Sequence, residues 1–499
     1  MINKKIKILG TLIVLIVLAS FASPSIGQAG QTPTDLQTPN PIPPNSPGVT
    51  RYLYLPLAKN GLPVANTTLS FKISSEMYSG ASSSYTDKAV AANIKYARTS
   101  VFAWDLIEST RGNYNWSSVD EGNLRGLSAS GITAIAIVRY APSWAQKTPP
   151  RACGPIAESK LDAFAQFLTA AVQRYSQPPY NVHYWEIGNE PDAPFLNDNR
   201  SVFGCWGDPN LPFYGGGYYA KALEKAYPAI KAADPTAQVV IGGLLLDCDP
   251  TNPPAGKDCS PGNFFEGILD NNGKRNGASF FDLVSYHGYP TYDGSNGGVA
   301  GLQGDEKNTP WAARGGVTLG KANFLREVMN RYGVNKPLFH SEGALIWWCS
   351  QPVYPCPTPP NQTFYEAQAD YAVWLFVRDW AYGINITSWY QYEWDSWRYN
   401  SLLYENLSPK PAYNALHFLT NELSGANYSQ QITSYPNVRI YEFKKSSKKV
   451  WVMWTPDQLN HTISLPAGWT KVLDKYGNGV TPSNNQLTVN KPVYVELAP

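Results

Sequence analysis

A carboxylate and a carboxamide stand side by side in Tyr-Trp-Glu-Ile-Gly-Asn-Glu-Pro-Asp at residues 184–192, where an apolar run stops. The run at 182–187 has the aromatic and β-branched content of a buried strand, and the glycine and proline after it end such strands. A carboxyl group at a strand end lies half-buried, where desolvation raises its pKa and lets it donate a proton. Glu190 is therefore the first candidate for a catalytic acid. The alternative interpretation is that Asn189 and Glu190 only cap the next turn.

Glu342 is the second candidate, because it follows another short apolar run in Lys-Pro-Leu-Phe-His-Ser-Glu-Gly at residues 336–343. Two carboxyl groups at one site, the first protonated and the second ionised, are the pair that glycoside hydrolysis uses. The protonated group gives its proton to the leaving oxygen, and the ionised group attacks the anomeric carbon. Taken alone, Glu342 is also compatible with a solvated loop acid, so the chemistry depends on the fold that positions both glutamates.

From residue 67 onward, apolar β-rich runs alternate with amphipathic helical patterns. The runs that predict strands number eight, at 69–73, 96–103, 132–139, 182–187, 239–246, 283–287, 338–341 and 384–389. Helical spacing recurs between them in Leu161, Phe164, Leu168, Val172 and Tyr175, in Phe324, Leu325, Val328 and Tyr332, and in Tyr371, Trp374, Leu375 and Arg378.

Eight strands alternating with helices predict an α/β fold of the closed (β/α)8 TIM-barrel type. An open doubly wound sheet is the alternative, but it normally shows a glycine-rich phosphate turn after an early strand, and this sequence has none. Active residues of such barrels project from the carboxyl ends of the strands. Glu190 ends the fourth predicted strand and Glu342 ends the seventh, so the barrel is expected to bring both to one mouth.

This arrangement resembles the clan A glycoside hydrolases, (β/α)8 enzymes with an acid/base glutamate in Asn-Glu-Pro after the fourth strand and a nucleophile glutamate after the seventh. The likeness spans residues 67–425. It includes Trp-Asp-Leu-Ile-Glu at 104–108, Arg-Gly-Asn-Tyr-Asn-Trp at 111–116, Asp120, Pro-Ser-Trp-Ala at 142–145 and Lys-Pro-Ala-Tyr at 410–413. These segments are similar to family 39, family 42 and some family 5 enzymes, and a trailing β-sandwich is most similar to family 39. The Glu-Gly after His340-Ser341 differs from the usual family 39 surroundings of the nucleophile.

The resemblance implies a retaining β-glycosidase without a cofactor, acting on an oligo- or polysaccharide through a covalent glycosyl-enzyme intermediate. Glu190 is then the acid/base and Glu342 the nucleophile, with carboxyl groups about 5 Å apart. Asn189 is expected to hydrogen-bond the sugar 2-hydroxyl. Arg98, on the second strand, keeps Glu342 ionised by pairing with it, and Tyr289 donates a phenolic hydrogen bond to the nucleophile.

Other residues are expected to contact the substrate at the same mouth. His287 lines it, and Trp389, at the end of the eighth strand, offers a flat apolar face to the reacting sugar. Trp104 and Trp144 offer similar faces farther out. For Arg98, His287 and the two outer tryptophans, a structural role in the core is the alternative.

The remaining acids near strand ends are weaker catalytic candidates. Glu186 lies inside the fourth strand and Asp192 lies beyond it, so neither is placed like Glu190. Asp247, Glu393 and Asp395 are candidates for binding sugar hydroxyls. The sequence has neither a nucleophile elbow of the Ser/His/Asp type nor a His-Glu-x-x-His motif, and no metal site is expected.

Four regions are predicted along the chain. Residues 1–29 contain Lys4, Lys5 and Lys7 before an uncharged apolar run and indicate an export signal, cleaved after Ala22 or Ala29. An uncleaved membrane anchor is the alternative, but the run is shorter than the roughly 20 residues that a spanning helix needs. A Pro-rich linker with a short strand follows at 30–65, the catalytic barrel at 66–425, and a small antiparallel β-sandwich at 426–499, where short strands occur without helices. The sandwich is expected to stabilise the barrel.

Six cysteines in an exported chain predict three disulfides, although pairing does not follow from sequence alone. The expected pairs are Cys153–Cys205, Cys248–Cys259 and Cys349–Cys356. Metal binding is the competing interpretation, which the absence of a Cys-x-x-Cys pair and the presence of only 5 histidines disfavour.

The composition is that of a well-packed globular protein, with 43% hydrophobic and 16% charged residues. Without its leader the chain has 37 basic residues against 38 acidic ones, so no charge asymmetry attracts nucleic acid. We expect a secreted or cell-surface glycosidase with a carbohydrate partner and no stable membrane insertion once the signal is cleaved. The alternative is a catalytically silent barrel that binds surface polysaccharide. The sugar and the oligomeric state do not follow from the sequence.

Overall fold

The computed structural model of this 499-residue chain describes residues 72–194, 200–292, 305–306, 309–348, 356, 359–394 and 397–499. The predicted leader and the predicted linker with its short strand lie outside these residues, as do Asp395 and Cys349.

Eight parallel strands form the central sheet. They are β1 (Lys72–Glu76), β2 (Tyr96–Ala103), β3 (Thr133–Arg139), β4 (Tyr184–Ile187), β5 (Gln238–Ile241), β6 (Val284–Gly288), β7 (Leu338–Gly343) and β8 (Ile386–Trp389). Their order in the sheet runs from β5 through β4, β3, β2 and β1 to β8, β7 and β6. Parallel bridges from Val240 to Leu283 and from Leu244 to Tyr286 join β5 to β6 and close the barrel.

Helices between the strands cover the outside of the barrel. They span Ser83–Ala91, Trp104–Ile107, Glu121–Ala129, Leu161–Tyr175, Gly216–Ala233, Phe264–Asp270, Gly316–Arg331, Gln362–Ala381 and Pro411–Glu422. The predicted helical patterns lie in Leu161–Tyr175, Gly316–Arg331 and Gln362–Ala381, except that Tyr332 is the residue just after Gly316–Arg331. The barrel interior is filled by a layer of apolar side chains that includes Ile135, Val240, Leu283, Phe339 and Ile386. The (β/α)8 prediction is therefore confirmed, and the open sheet is excluded.

The predicted end of β1 is wrong by three residues. The sequence predicted a strand at 69–73, of which 69–71 lie outside the described residues, whereas β1 continues to Glu76. The prediction ended early because Ser74, Ser75 and Glu76 are polar, although all three are buried in the barrel.

After the barrel, seven antiparallel strands form the predicted β-sandwich. They span Asn427–Ile432, Arg439–Lys444, Lys449–Trp454, His461–Ser464, Trp469–Asp474, Gln486–Val489 and Val493–Leu497. The strands His461–Ser464 and Gln486–Val489 pair with each other, and the other five form one sheet. The strands at 427–432 and 469–474 were not predicted, because their residues are mostly polar and partly exposed.

The middle strand of the five-stranded sheet, Lys449–Trp454, is buried on both faces. In Lys449–Trp454, Val450, Val452 and Trp454 belong to the barrel core, whereas Trp451 and Met453 belong to the separate core of the sandwich. A fully buried strand needs apolar residues on both faces, which explains why this one is a continuous apolar run. The sandwich and the barrel therefore share a hydrophobic core.

Two predicted disulfides are confirmed, Cys153–Cys205 and Cys248–Cys259. The first joins the loop after β3 to the loop after β4. Because Cys349 lies outside the described residues, its pairing with Cys356 stays a prediction. Among the described residues, no helix is both long and apolar enough to cross a lipid bilayer.

Candidate active site

Arg98, on β2, is completely buried and uses all five of its N–H groups at the carboxyl-terminal mouth of the barrel. Nε and Nη2 donate to the two oxygens of Glu186 at 2.8 Å each, and Nη2 also donates to Oδ1 of Asn189 at 2.7 Å. Nη1 donates to Oε2 of Glu76 at 2.7 Å and to Oε1 of Glu342 at 2.5 Å. One guanidinium thus fixes four side chains from three other strand ends and from the loop after β4.

Glu342 lies in β7 and is only 7% exposed. One carboxylate oxygen accepts from Arg98, and the other accepts from the hydroxyl of Tyr289. The predicted contacts of Arg98 and Tyr289 with this glutamate are therefore both present. Donors at both oxygens favour the ionised form and hold the carboxylate in one orientation.

Glu190 follows β4 and has a backbone φ of +48°, in the left-handed region that a side chain adopts at a cost. Three backbone hydrogen bonds hold this conformation. The N–H of Glu190 donates to the carbonyl of Gly243 at 3.0 Å, and its own carbonyl accepts from the N–H groups of Ala193 and Gly204 at 3.1 and 3.2 Å. The surrounding loops therefore direct the carboxyl group of Glu190 into the mouth.

His287 lies between the two glutamates. Its Nδ1 is 2.8 Å from Oε1 of Glu190, and its Nε2 is 3.4 Å from Oε1 of Glu342. Burial, together with the positive charges of Arg98 and Lys321, lowers the pKa of the imidazole well below its usual value. The ring is therefore neutral, and it can accept a hydrogen bond at one nitrogen and donate one from the other.

The surroundings of the two glutamates shift their pKa values to different extents. Burial raises the pKa of Glu190 well above its usual range, and the negative charges of Glu342 and Asp192 raise it further. Burial also raises the pKa of Glu342, but Arg98 and the Tyr289 hydroxyl oppose that rise. A proton shared by this pair is consequently held by Glu190, and Glu342 is the ionised partner.

Asn189 is oriented by the same arginine. Its carbonyl oxygen accepts from Arg98, and its Nδ2 donates to the carbonyl of Val202 at 3.1 Å and faces Oε2 of Glu190 at 3.4 Å. The amide nitrogen therefore lies on the side of the acid where a sugar hydroxyl is expected.

The expectation for Trp389 is wrong. Its ring is completely buried, and its Nε1 donates to the carbonyl of Asn400 at 2.7 Å, so it offers no face to a substrate. The β8–β7 pairing shifts register between Thr387 and Trp389, which turns the tryptophan outward to the helix layer. The next residue, Tyr390, is half-buried at the mouth, with its ring centroid 6.0 Å from that of Tyr289.

Tyr390 is an aromatic residue of the mouth that the sequence reasoning missed. Burial raises its pKa well above the usual value, and the negative charges of Glu76 and Glu342 raise it further. Its ring also lies 6.0 Å from that of Trp397, and Trp397 lies 4.9 Å from Tyr289. These three rings form one wall of the mouth.

The two outer tryptophans support a loop. Trp104 is buried, packs parallel to Phe167 at 5.5 Å, and donates from Nε1 to Oε2 of Glu108 at 2.6 Å. Trp144 is half-buried and donates from Nε1 to the carbonyl of Glu108 at 3.0 Å. Trp104 is thus a core residue, whereas Trp144 keeps an exposed edge.

Glu76, at the end of β1, is a third carboxyl group at the mouth and was not predicted. It is 3% exposed, and burial raises its pKa to about 8, although Arg98 opposes the rise. The rule that strand ends carry the active residues would have identified it, had the predicted first strand extended to residue 76.

The weaker acid candidates have other partners. Glu186 accepts hydrogen bonds from Arg98, and Asp192 accepts from the backbone N–H groups of Leu245 and Leu246. Asp247 is exposed and forms an ion pair with Lys257.

Two further charged groups support the mouth from behind. Lys321 is buried and donates to the carbonyls of Leu245 at 2.6 Å and His287 at 2.8 Å, and burial lowers its pKa to about 8. Glu393 is buried and accepts from the hydroxyl of Tyr85 at 2.5 Å. Both residues fix loops at strand ends.

One oxygen of Glu190, one of Glu342 and a ring nitrogen of His287 lie within 4.8 Å of one another, a spacing at which donors can hold a metal ion. Arg98, however, donates directly to Glu342, and its positive charge opposes a second cation there. The same spacing suits two carboxyl groups that act on one bond from the same mouth.

No protein-family model and no curated protein sequence matches this chain. Solved structures do. A family 39 glycoside hydrolase from Bacteroides cellulosilyticus WH2 aligns with a TM-score of 0.60 and 18% identity, over 85% of this chain and 80% of that one. A GH30 endoxylanase from Clostridium papyrosolvens C71 aligns with a TM-score of 0.54 and 13% identity, over 86% and 96% of the two chains.

The chain has the fold of these glycoside hydrolases. AbfB, a family 51 α-L-arabinofuranosidase from Bifidobacterium longum, aligns as well, with a TM-score of 0.51 and 15% identity, over 83% of this chain and 89% of that one. At such identities the likeness concerns the fold, and it matches the clan A resemblance noted in the sequence.

Proposed function

We propose that this protein is a retaining glycoside hydrolase that cleaves β-glycosidic bonds in an oligo- or polysaccharide. The observation that carries the proposal is the pair of buried glutamates, with carboxylate oxygens of Glu190 and Glu342 within 4.8 Å of each other. Retaining enzymes place their two carboxyl groups about 5–5.5 Å apart, whereas inverting enzymes leave about 6.5–9.5 Å for a water molecule. The fold shared with several glycoside hydrolases supports the same reading.

In the first step, Glu342 attacks the anomeric carbon, and the bond from that carbon to the leaving oxygen breaks. Glu190 gives its proton to this oxygen, which departs as the hydroxyl of the leaving sugar. Arg98 and Tyr289 hold the attacking carboxylate in place and keep it ionised. The product of this step is a covalent ester between the sugar and Glu342.

In the second step, water attacks the anomeric carbon of the ester from the side that the leaving group vacated. Glu190, now ionised, takes a proton from this water, and the bond to Glu342 breaks. Two displacements on one carbon restore the original configuration. The enzyme returns to its starting state with the proton on Glu190 and the charge on Glu342.

Asn189 is positioned to bind the 2-hydroxyl of the reacting sugar, and Tyr390 replaces Trp389 as the apolar face on which that sugar rests. The faces of pyranose rings carry C–H groups that pack on aromatic rings. Tyr390, Tyr289 and Trp397 are grouped around the nucleophile and fit this task.

Export is part of the proposal. The leader at 1–29 predicts it, and the disulfides Cys153–Cys205 and Cys248–Cys259 support it, since disulfides persist mainly outside the cytosol. The partner is a carbohydrate in the surroundings of the cell.

The test uses a panel of polysaccharides and aryl glycosides, with the anomer of the first product read by NMR. We expect release of the β-anomer. Glu342→Gly should lose turnover and, with azide, form an α-glycosyl azide, whereas Glu190→Gly with azide should form the β-azide. Asp247→Asn, an exposed acid near a strand end, is the matched control and should retain activity. Release of the α-anomer sinks the retaining mechanism, and saturable glycan binding without any product favours the silent polysaccharide-binding barrel.

A further inference from the structure

A second arginine at the mouth, Arg139, has no hydrogen-bond or ion-pair partner among the described residues. Arg139 is the last residue of β3 and pairs in register with Ala103 of β2. Side chains alternate along a strand, so Arg139 projects on the same face as Ile135, which lies in the barrel interior. Because Arg139 lies four residues nearer the carboxyl end, its guanidinium belongs to the mouth that holds the glutamates.

The contrast with Arg98 is informative. All five N–H groups of Arg98 have partners, whereas Arg139, among the described residues, makes no hydrogen bond and no ion pair. Its guanidinium packs on the ring of Tyr140, whose centroid lies 4.9 Å from the guanidinium carbon. Arg139 is half-buried, so its charge is only partly solvated.

Tyr140 is held rigidly in an unusual conformation. Its φ is +62°, in a region that a tyrosine adopts only when neighbouring contacts enforce it. Its carbonyl accepts from the N–H of Asp105 at 2.9 Å, and the next residue, Ala141, donates to the carbonyl of Ala152 at 2.8 Å. Backbone strain of this kind is concentrated at ligand-binding positions.

The guanidinium of a second arginine, Arg200, also packs on the ring of Tyr140. The guanidinium carbon of Arg200 lies 4.5 Å from the centroid of Tyr140, and Arg200 pairs with Asp105 at 3.0 Å. Arg200 is thus held in an ion pair with Asp105, whereas Arg139 acts on Asp105 and Glu76 only from a distance and leaves its N–H groups without a partner among the described residues. Arg139 and Tyr140 also line a narrow cavity together with Asn189, next to the acid/base.

We propose that Arg139, backed by Tyr140, binds an anionic substituent of the substrate beside the reacting bond, so that the preferred glycan carries an acidic sugar. A guanidinium forms two parallel hydrogen bonds to a carboxylate, and a sulfate ester offers similar oxygens. This inference rests on the proposed function, and it narrows the substrate from any β-glycan to one with a uronic acid or a sulfated unit.

The rival explanation is that Arg139 only offsets the negative charge of Glu76 and Asp105. The two explanations differ in what they predict for matched substrates. A counter-charge acts on the enzyme alone, so its removal changes the rates on acidic and neutral substrates by the same factor. A binding residue changes their ratio.

The experiment compares kcat/KM on acidic oligosaccharides with kcat/KM on their own carboxyl-reduced forms, and on sulfated oligosaccharides with their desulfated forms. We expect one acidic form to be preferred by about 10- to 100-fold, as for a charge-assisted hydrogen-bonded pair, with the preference decreasing as salt is added. If the preference appears with the carboxyl-reduced pair, the bound group is a carboxylate, and if it appears with the desulfated pair, the bound group is a sulfate. Arg139→Gln should bring the ratio close to one, and Arg139→Lys should restore only part of it. Arg125→Gln, an exposed arginine on the helix Glu121–Ala129, is the control and should keep the ratio.

The inference is overturned if Arg139→Gln lowers kcat/KM by the same factor on both members of every substrate pair. It is also overturned if the unaltered protein shows no preference for the acidic member of any pair. If no glycan at all is cleaved, the proposed function fails instead. Calorimetric titration of the same pairs into the unaltered protein and Arg139→Gln then still decides whether Arg139 binds the anionic group.

Discussion

The Nδ1 atom of His287 lies 2.8 Å from Oε1 of Glu190. Because the imidazole is neutral and Glu190 is the protonated acid, we assign Nδ1 as the acceptor of the Glu190 proton. The ring proton then resides on Nε2, which faces the nucleophile Glu342 at 3.4 Å. One histidine thereby stabilises the acid in its protonated form and the nucleophile in its ionised form.

His287→Leu should therefore narrow the pH range over which kcat/KM is high, by moving both of its limits. Without the acceptor at Nδ1 the pKa of Glu190 falls, which moves the basic limb of kcat/KM to lower pH. Without the donor at Nε2 the pKa of Glu342 rises, which moves the acidic limb to higher pH. The profile of kcat/KM against pH decides this, and a basic limb that moves upward would show that Nδ1 carries the proton instead.

Arg98→Lys should lower kcat by about 100-fold or more, since an ammonium cannot reproduce the five bonds that hold Glu342, Asn189, Glu186 and Glu76. The acidic limb of the pH profile should also move up, because the shorter ammonium does not reproduce the hydrogen bond that Nη1 of Arg98 donates to Oε1 of Glu342. Leaving buried carboxylates unpaired costs about 3–5 kcal/mol, so the melting temperature should fall as well. Arg174→Lys, at an exposed ion pair with Glu121, is the control and should leave kcat unchanged.

Glu76→Gln should remove a pH dependence of stability. The folded pKa of Glu76 is raised from 4.5 to about 8, so the folded protein binds its proton more tightly than the unfolded chain does. Stability is then lost as the pH rises from about 4.5 to about 8 and is constant above. The amide oxygen of glutamine still accepts from Arg98 but carries no charge. Melting curves of both proteins from pH 5 to 9 should show a difference that grows in favour of the variant, and a constant difference would contradict the assignment.

Tyr390→Ala should lower kcat/KM by roughly 10-fold or more, which corresponds to about 1.4 kcal/mol of lost packing on the sugar, whereas Tyr390→Phe should retain most activity. Trp389→Phe is the comparison. It removes the hydrogen bond to the carbonyl of Asn400 and should lower the melting temperature while KM stays unchanged. A KM effect confined to Trp389→Phe would return the platform role to that residue.

Loss of the Cys153–Cys205 disulfide should destabilise the protein by about 4 kcal/mol, given the 52-residue separation of the two cysteines. The neighbour of Cys205, Gly204, donates to the carbonyl of Glu190, so activity should decrease before the protein unfolds. Thermal denaturation and kcat of Cys153→Ser/Cys205→Ser measure both effects. Cys248→Ser/Cys259→Ser, which opens a shorter loop of 11 residues, should cost less.

The eight-strand barrel and the joint placement of Glu190 and Glu342 were predictable, because strand count and strand ends follow from local apolar patterns. It was not predictable that Tyr390 instead of Trp389 lies at the mouth. A one-residue shift in strand pairing turns a side chain to the opposite face of the sheet, and such a shift leaves no trace in the composition. Glu76 was missed because buried polar residues inside a barrel look like the end of a strand. That Arg98 binds Glu186 as well as Glu342 depends on contacts between distant strands.

The strand Lys449–Trp454 supplies side chains to the barrel core with one face and to the sandwich core with the other. Trp380 packs on Phe443 at 4.8 Å across the same junction, and Lys475 of the sandwich forms an ion pair with Asp370 of the barrel at 2.6 Å. The C-terminal region is therefore not a module that can be transplanted or trimmed away. A gene shortened to the barrel would encode an aggregating product with an exposed aromatic surface, and recombination between related genes would have to exchange both parts together.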